Sequence, residues 1–324
     1  MEEIHEPHDG LFKLVFSNIE HARAELLSVL PSELLAAVDL GTLELRPGCF
    51  VDEKYKKMFT DLLFSVSVGG EQGLVYFLLE HQSTNDRWMP LRLWAYLGQI
   101  WQWFVKNTSE AVKLPLIIPV VIHHSKTGWQ AASNIDERVE TPAAVRDVLT
   151  DKLPRLGYFL DDLTVQEDEA LRARSMAALP RVVLWAMKNA RHVKGFIHWM
   201  REWGQLFREV AQAHNGVHSF IILMSYILQV SDATPQQIEQ FSKELGPLAS
   251  EAYMTGAQIL HQEDRRSILV ELLEKKFGDV PAPALQRIEQ AGPDQLRGWL
   301  MRLLEAESVD EVLEEPTHED HPAA

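Results

Sequence analysis

Hydrophobic and polar positions along this chain switch between two periods, and the switch predicts its architecture. Residues 8–30 place Leu11, Leu14, Val15, Ala22, Leu26 and Leu30 at near-helical spacing, which predicts one amphipathic helix. Pro31 breaks it, and 34–38 predict a short helical turn. Apolar runs of strand length follow at 43–51, 59–68 and 74–82. The segment Gly69-Gly70-Glu71-Gln72-Gly73 joins the last two and predicts an antiparallel hairpin centred near residue 71. Residues 87–106 return to helical spacing and carry Trp88, Trp94, Tyr96, Trp101, Trp103 and Phe104. The Trp and Leu positions of this helix are expected to pack on the sheet rather than to serve as base-stacking platforms. The run 116–122, LIIPVVI, reads as a buried strand in which Pro119 implies an edge position or a bulge.

Helix, three strands, helix, strand is the order of an α/β (α+β) protein with a mixed sheet covered by helices. A short apolar piece near 156–160 is a candidate further strand. From there helical spacing dominates, at 167–189, 194–213, 217–230, 235–245 and 249–277. Gly278-Asp279-Val280-Pro281 then sets off short helices over 282–314, and the acidic residues from Glu315 onward predict a disordered tail. The chain is thus expected to divide into a mixed domain at 1–140, a helical region at 141–277 suited to assembly or regulation, a small helical module at 278–314, and a tail at 315–324.

Composition narrows the class. Hydrophobic residues make up 46% and charged residues 24% of the 324, as in ordinary globular proteins. There is no uncharged apolar run of about 18 residues, and Met1-Glu2-Glu3 is unlike a signal peptide. One cysteine, Cys49, excludes an internal disulfide and a cysteine-based metal cage. A reduced, cytoplasmic setting away from membranes is the expectation. The 31 Lys and Arg against 47 Asp and Glu leave a net charge of −16, which argues against broad nonspecific binding to nucleic acid. Basic residues nevertheless cluster locally, at Lys54, Lys56 and Lys57 and again between Arg181 and Arg208.

The candidate chemistry sits on the hairpin, where each strand carries an acid, Asp61 and Glu80. Folded back near residue 71, the hairpin brings Asp61 opposite or next to Glu80, while strand alternation sends Glu80 and Gln82 one way and His81 the other. A buried carboxylate is costly unless paired or bound to a cation, so two together suit a hard divalent ion such as Mg²⁺. Such an ion lowers the pKa of water and offsets charge building on a phosphate. The plainer alternative leaves both acids exposed at strand ends.

Other residues are less specific. Asp9 is placed to cap a helix beginning at residue 10 or 11, with metal contact as a further role. Arg92 and Gln99 lie seven residues apart and nearly on one helix face. Arg92 could grip a phosphate, pair with an active-site carboxylate or form a surface ion pair. Lys54, Lys56 and Lys57 could bind backbone phosphate or protect a strand edge. His123 and His124, adjacent on a strand, would face opposite ways and could not easily share a metal; they are read as loop residues without a role. No phosphate-cradling GxxxxGK[ST] loop, GxSxG elbow or HExxH helix occurs.

The segments HDGLFKLVF, DLLF and LLEHQSTNDRWMPLRLWAYLGQIWQ resemble the Rpn family of recombination-promoting nucleases, also labelled transposases, within the PD-(D/E)xK superfamily. The resemblance runs from about His8 to Trp129. It implies a restriction-endonuclease-like αβββαβ core and a metal-dependent DNA endonuclease, a hydrolase that promotes DNA recombination. By the match, Asp61 and Glu80 take the two metal-binding acids, His81 offers its backbone carbonyl, and Gln82 takes the position usually held by lysine. A first-helix acid near the metal would be Asp9 or Glu20. Glutamine can hydrogen-bond water or a phosphate oxygen but brings no charge, so slow or conditional cleavage is the expectation. Mg²⁺ is the implied cofactor, with Mn²⁺ or Ca²⁺ as substitutes, and DNA the implied partner. A homodimer would supply two sites for two strands. The runner-up is a noncatalytic DNA- or protein-binding module that keeps the nuclease fold, motivated by Gln82 and the negative charge. The segment from Ser267 resembles a helical module appended to such nucleases, for which interaction or oligomerisation is expected.

Overall fold

In a computed structural model, residues 7–46, 62–80, 86–108, 112–149, 151–303 and 306–314 are described. They form two compact units, Met1–Ser250 and Glu251–Ala324. The first holds all the described strands. Helices α1 (Pro7–Phe16), α2 (Ile19–Val29) and α3 (Ser32–Leu35) lead into β1 (Val38–Arg46), β2 (Leu62–Val68) and β3 (Glu71–Glu80). Then come α4 (Met89–Asn107), β4 (Leu116–His123), α5 (Ala143–Leu149) and β5 (Phe159–Asp162). The expected helix–three strands–helix–strand order is present, and the candidate strand near 156–160 is β5.

The helix expected over 8–30 is two helices. Asn18 leaves the helical conformation and its side chain accepts the Glu20 amide at 2.9 Å, capping α2 and ending α1. Because α1 starts at Pro7, Asp9 lies inside its first turn rather than at its cap. A proline is preorganised for that first turn, and an acid there still complements the helix dipole.

The five described strands lie in sequence order, β1-β2-β3-β4-β5. The first three are antiparallel, whereas β3, β4 and β5 run parallel. The hairpin is tighter than expected. Val68 pairs with Glu71, so its centre falls between Gly69 and Gly70, whose φ angles of 59° and 87° meet the demand of a two-residue turn. Strand β1 also begins earlier than predicted. Its ladder slips between Asp39 and Glu44, where Asp39 turns back onto the Gly41 amide and the Thr42 hydroxyl accepts the Ser67 amide. Those turn-forming residues hid the strand. Nor is β4 an edge strand: it lies between β3 and β5. Its ladder to β5 begins only at Val120, so Pro119, which has no amide to donate, precedes the doubly paired stretch.

The sheet has a helix layer on each face. On one, Leu63, Leu74, Ile117 and Val121 pack under Met89, Leu93, Tyr96, Leu97 and Ile100 of α4. On the other lie α1 and α2, with Leu11, Phe12, Val15, Phe16, Ala22 and Leu26 buried. The remaining helices of this unit are α6 (Asp168–Arg172), α7 (Ala178–Asn189), α8 (Phe196–Glu202), α9 (Gly204–Gln212), α10 (Gly216–Val230) and α11 (Pro235–Leu245). Thr234 and Gln237 form a reciprocal cap on α11. Helix α12 (Pro247–Phe277) runs from the first unit into the second, which adds α13 (Ala282–Gln290), α14 (Pro293–Arg302) and α15 (Val309–Val312). That second unit has its own core, including Leu269, Leu273, Ile288, Leu296, Trp299 and Leu313. Among the described residues, no helix is long and apolar enough to cross a membrane.

Candidate functional site at the carboxyl ends of the parallel strands

Parallel pairing brings three strand ends together. Glu80 ends β3 and is the backbone partner of His123, which ends β4 and in turn partners Asp162 at the end of β5. In open sheets with parallel strands, ligands favour the crevice beyond such carboxyl ends. Among the predicted site residues, Glu80 is placed here by its backbone. Asp61, His81, Gln82, Lys54, Lys56 and Lys57 lie outside the described residues.

Around these ends the polar side chains separate onto the two faces. On the α4 face, His123 is fully buried. Its Nε2 is 2.9 Å from Ser125 Oγ, and its ring meets Trp129 edge-on at 4.8 Å. Ser125 Oγ accepts the Gly128 amide, and the Asp162 carboxylate accepts the amides of Trp129 and Thr164 at 2.7 and 3.1 Å. This braces the 125–129 loop against the end of β5. On the opposite face, His124 lies with its ring centroid 5.0 Å from that of His8 on α1, and His8 Nδ1 is 2.8 Å from Tyr226 Oη on α10. Burial holds the Tyr226 phenol well above its usual range. The two histidines do face opposite ways, as strand alternation requires. His123 closes β4 rather than lying in a loop, and His124 is the first residue after it; both are buried in contacts that tie the strand end to its surroundings.

On the same face of the sheet as His124, to which Asp161 points by its register with Ile122, runs a buried charge network that the sequence reading did not single out. Arg174 reaches Glu25 Oε2 at 3.0 Å and Asp161 Oδ1 at 2.7 Å, and also bonds Gln166, which contacts Asp161 in turn. Burial, and next the neighbouring Asp161 charge, push Glu25 well above the ordinary carboxyl range. The network joins α2, β5 and the turn after α6. One signal was available: Glu25 falls on the apolar stripe of α2 beside Ala22 and Leu26, where an acid must find a partner.

Of the weaker candidates, Arg92 pairs with Asp86 at 3.3 Å and lies 5.9 Å from the Tyr96 ring centroid, the arrangement of its plainer reading. Asp9 is partly exposed on α1. Among the described residues no three His, Cys, Asp or Glu side chains are grouped to hold a metal; the predicted pair falls outside that search. The aromatic residues of α4 depart from expectation. Tyr96 is buried, but Trp88 and Trp94 are exposed, because they project from the side of the helix away from the sheet.

A family model described as "Putative transposase, YhgA-like" matches residues 6–218, which include the whole sheet and its flanking helices. The chain belongs to that family. It is 29% identical over 267 residues to recombination-promoting nuclease RpnD of Escherichia coli O157:H7, covering 81% of this chain and 96% of the relative. It is 27% identical over 267 residues to recombination-promoting nuclease RpnA of Escherichia coli strain K12, covering 81% and 85%. It is also 26% identical over 260 residues to the inactive recombination-promoting nuclease-like protein RpnE of the same strain, covering 79% and 82%. The relatives of this chain thus include proteins named as nucleases and one named as inactive. No solved structure matches the chain.

Proposed function

We propose that this YhgA-like protein is a metal-dependent DNA endonuclease that hydrolyses phosphodiester bonds and promotes recombination in the cytoplasm. The observation that carries the reading is the position of Glu80, at the carboxyl end of β3 and in line with the ends of β4 and β5. The names of RpnD and RpnA support the reaction class. In this reading the restriction-endonuclease-like αβββαβ core occupies residues 1–140. The region 141–277 assembles or regulates it, 278–314 is an interaction module, and 315–324 is an acidic tail. A homodimer would provide one site per strand.

The donor set fits a hard cation. Asp61 and Glu80 would hold Mg²⁺ through carboxylate oxygens, with the His81 carbonyl alongside and Asp9 as a further candidate. Mn²⁺ or Ca²⁺ would accept the same oxygens. When bound, the ion supplies positive charge against the phosphate and makes water more acidic. Gln82 positions water or a phosphate oxygen by hydrogen bonding and adds no charge. Lys54, Lys56 and Lys57 would neutralise backbone phosphates, and Arg92 would join them only by leaving its pairing with Asp86.

A second reading, a noncatalytic DNA- or protein-binding module on the same fold, draws on the neutral Gln82 and on the relative named as inactive. Plasmid nicking by the purified protein with Mg²⁺, Mn²⁺ or Ca²⁺ separates the two. The endonuclease reading expects nicking that falls by about a hundred-fold or more in Asp61→Ala and Glu80→Ala, with far-UV circular dichroism unchanged. Equal nicking by all three proteins, or none with any metal, would overturn it.

A further inference from the structure

Helix α4 has two unlike sides. Its inner side is buried on the sheet through Met89, Leu93, Tyr96, Leu97 and Ile100. Its outer side presents Trp88, 47% exposed, Leu91, 51% exposed, and Trp94, 39% exposed, and Val105 continues that side at 54%. A Cβ placed on Gly98, between them, would meet nothing within 4 Å. Large apolar groups grouped in solvent mark a binding surface more often than scattered ones do.

Charge indicates what binds there. Helix α4 itself carries Arg92 and Lys106 and no acid, and Arg87 precedes it, within a chain of net charge −16. Arg92 is paired with Asp86, which leaves Arg87 and Lys106 as the cations of this side. The Arg87 guanidinium lies 5.5 Å from the Trp88 ring centroid. The helix thus offers two aromatic rings about 9 Å apart along its axis, accompanied by cations and by no acid of its own. A ligand that is both polyanionic and rich in flat faces matches this, and unpaired nucleic acid is such a ligand. A second copy of the chain matches less well. A two-fold contact repeats the same patch on both subunits, which would set Arg87 and Lys106 against a second basic helix.

We propose that the outer face of α4 is a stacking platform for unpaired DNA bases, with Trp88 and Trp94 as the stacking rings and Arg87 as a phosphate-side cation. The proposal rests on the nuclease reading in taking DNA as the substrate. It names single-stranded or locally opened DNA as the form engaged. Helix α4 follows β3 in the chain, so the platform and Glu80 belong to consecutive elements.

Fluorescence anisotropy of the full-length protein in EDTA, so that no cleavage intervenes, tests this. Three labelled probes of equal length serve: a thymidine single strand, its duplex, and a strand of abasic sugar phosphates. The wild type should bind the base-bearing single strand most tightly. Trp88→Ala and Trp94→Ala should each weaken that binding about ten-fold and leave the abasic strand unaffected, whereas Trp88→Phe and Trp94→Phe, which keep a flat ring, should largely retain it. Undiminished binding by the double variant would overturn the proposal. So would an equal loss on the abasic strand, a change in sedimentation with DNA binding intact, or loss of binding to anionic vesicles alone. The nicking experiment fails separately: absent nicking with ring-dependent strand binding removes the nuclease and keeps the platform. Metal-dependent nicking with ring-independent binding does the reverse.

Discussion

The two faces of the sheet treat the same residue type in opposite ways. Behind α1 and α2, α7 carries Trp185, which has no exposed surface. Its ring stacks between Phe196 and Trp203 at 4.9 and 4.8 Å, and its Nε1 donates to Asp168 Oδ2 at 2.8 Å. Lys188 holds the other oxygen of the same carboxylate at 2.6 Å. On the α4 face, Trp88 and Trp94 project into solvent. One tryptophan is closed in by layers of helices that arrive later in the chain. The others lie on the outermost layer, with nothing described outside them. Burial of a large aromatic is decided by how many layers follow it, and the residue itself carries no record of that number. A buried ring with a satisfied N–H supports the fold, whereas an exposed pair in a basic setting is free to serve a ligand.

Truncating the rings makes the contrast measurable. Trp185→Ala should destabilise the protein by about 3–5 kcal/mol, the usual cost of removing a fully buried aromatic, as a lower urea midpoint. A loss under 1 kcal/mol would mean that the stack is loose and the two faces are more alike than described.

The polar network behind the sheet gives a smaller, pH-dependent effect. The Glu25 pKa is raised, chiefly by burial and next by Asp161, so the folded state favours the protonated acid. That contribution is complete below the ordinary value of 4.5 and is lost as pH rises through the folded value. Glu25→Gln keeps a neutral hydrogen-bonding group and should remove this dependence. Thermal melts should therefore show the variant gaining on the wild type as pH rises above 4.5, until Glu25 is ionised in the folded state. Parallel curves for the two proteins would show that Arg174 keeps Glu25 ionised throughout.

The smallest effect on stability belongs to the outer face. Trp88→Ala and Trp94→Ala should each change unfolding free energy by no more than about 0.5 kcal/mol, while altering strand binding as described above. A large loss of stability in either variant would place these rings in the same class as Trp185 and erase the distinction.

Much of the architecture was legible in the periodicity of apolar residues. The helix–three strands–helix–strand order, β5, and the limits of α11 follow from spacing, proline and cap residues, which act over a few positions. Errors arose where one local signal masked another. Asn18 split a helix whose apolar stripe reads as continuous, and the turn chemistry of Asp39 and Gly41 concealed the start of β1. The hairpin glycines indicated a turn but not its tightness. At the candidate site, sequence patterning together with family resemblance singled out Asp61, Glu80 and Gln82, and the described strands locate Glu80 among them.

What the sequence determined by itself is therefore the alternation of elements and the acids each one carries, because both are set by short-range period and residue type. Which side chains meet was decided by tertiary structure alone. Glu25 finds Arg174 across 149 positions of chain, and His8 finds Tyr226 across 218. Such pairings depend on how layers stack, and exposure of the α4 tryptophans depends on where the stacking stops.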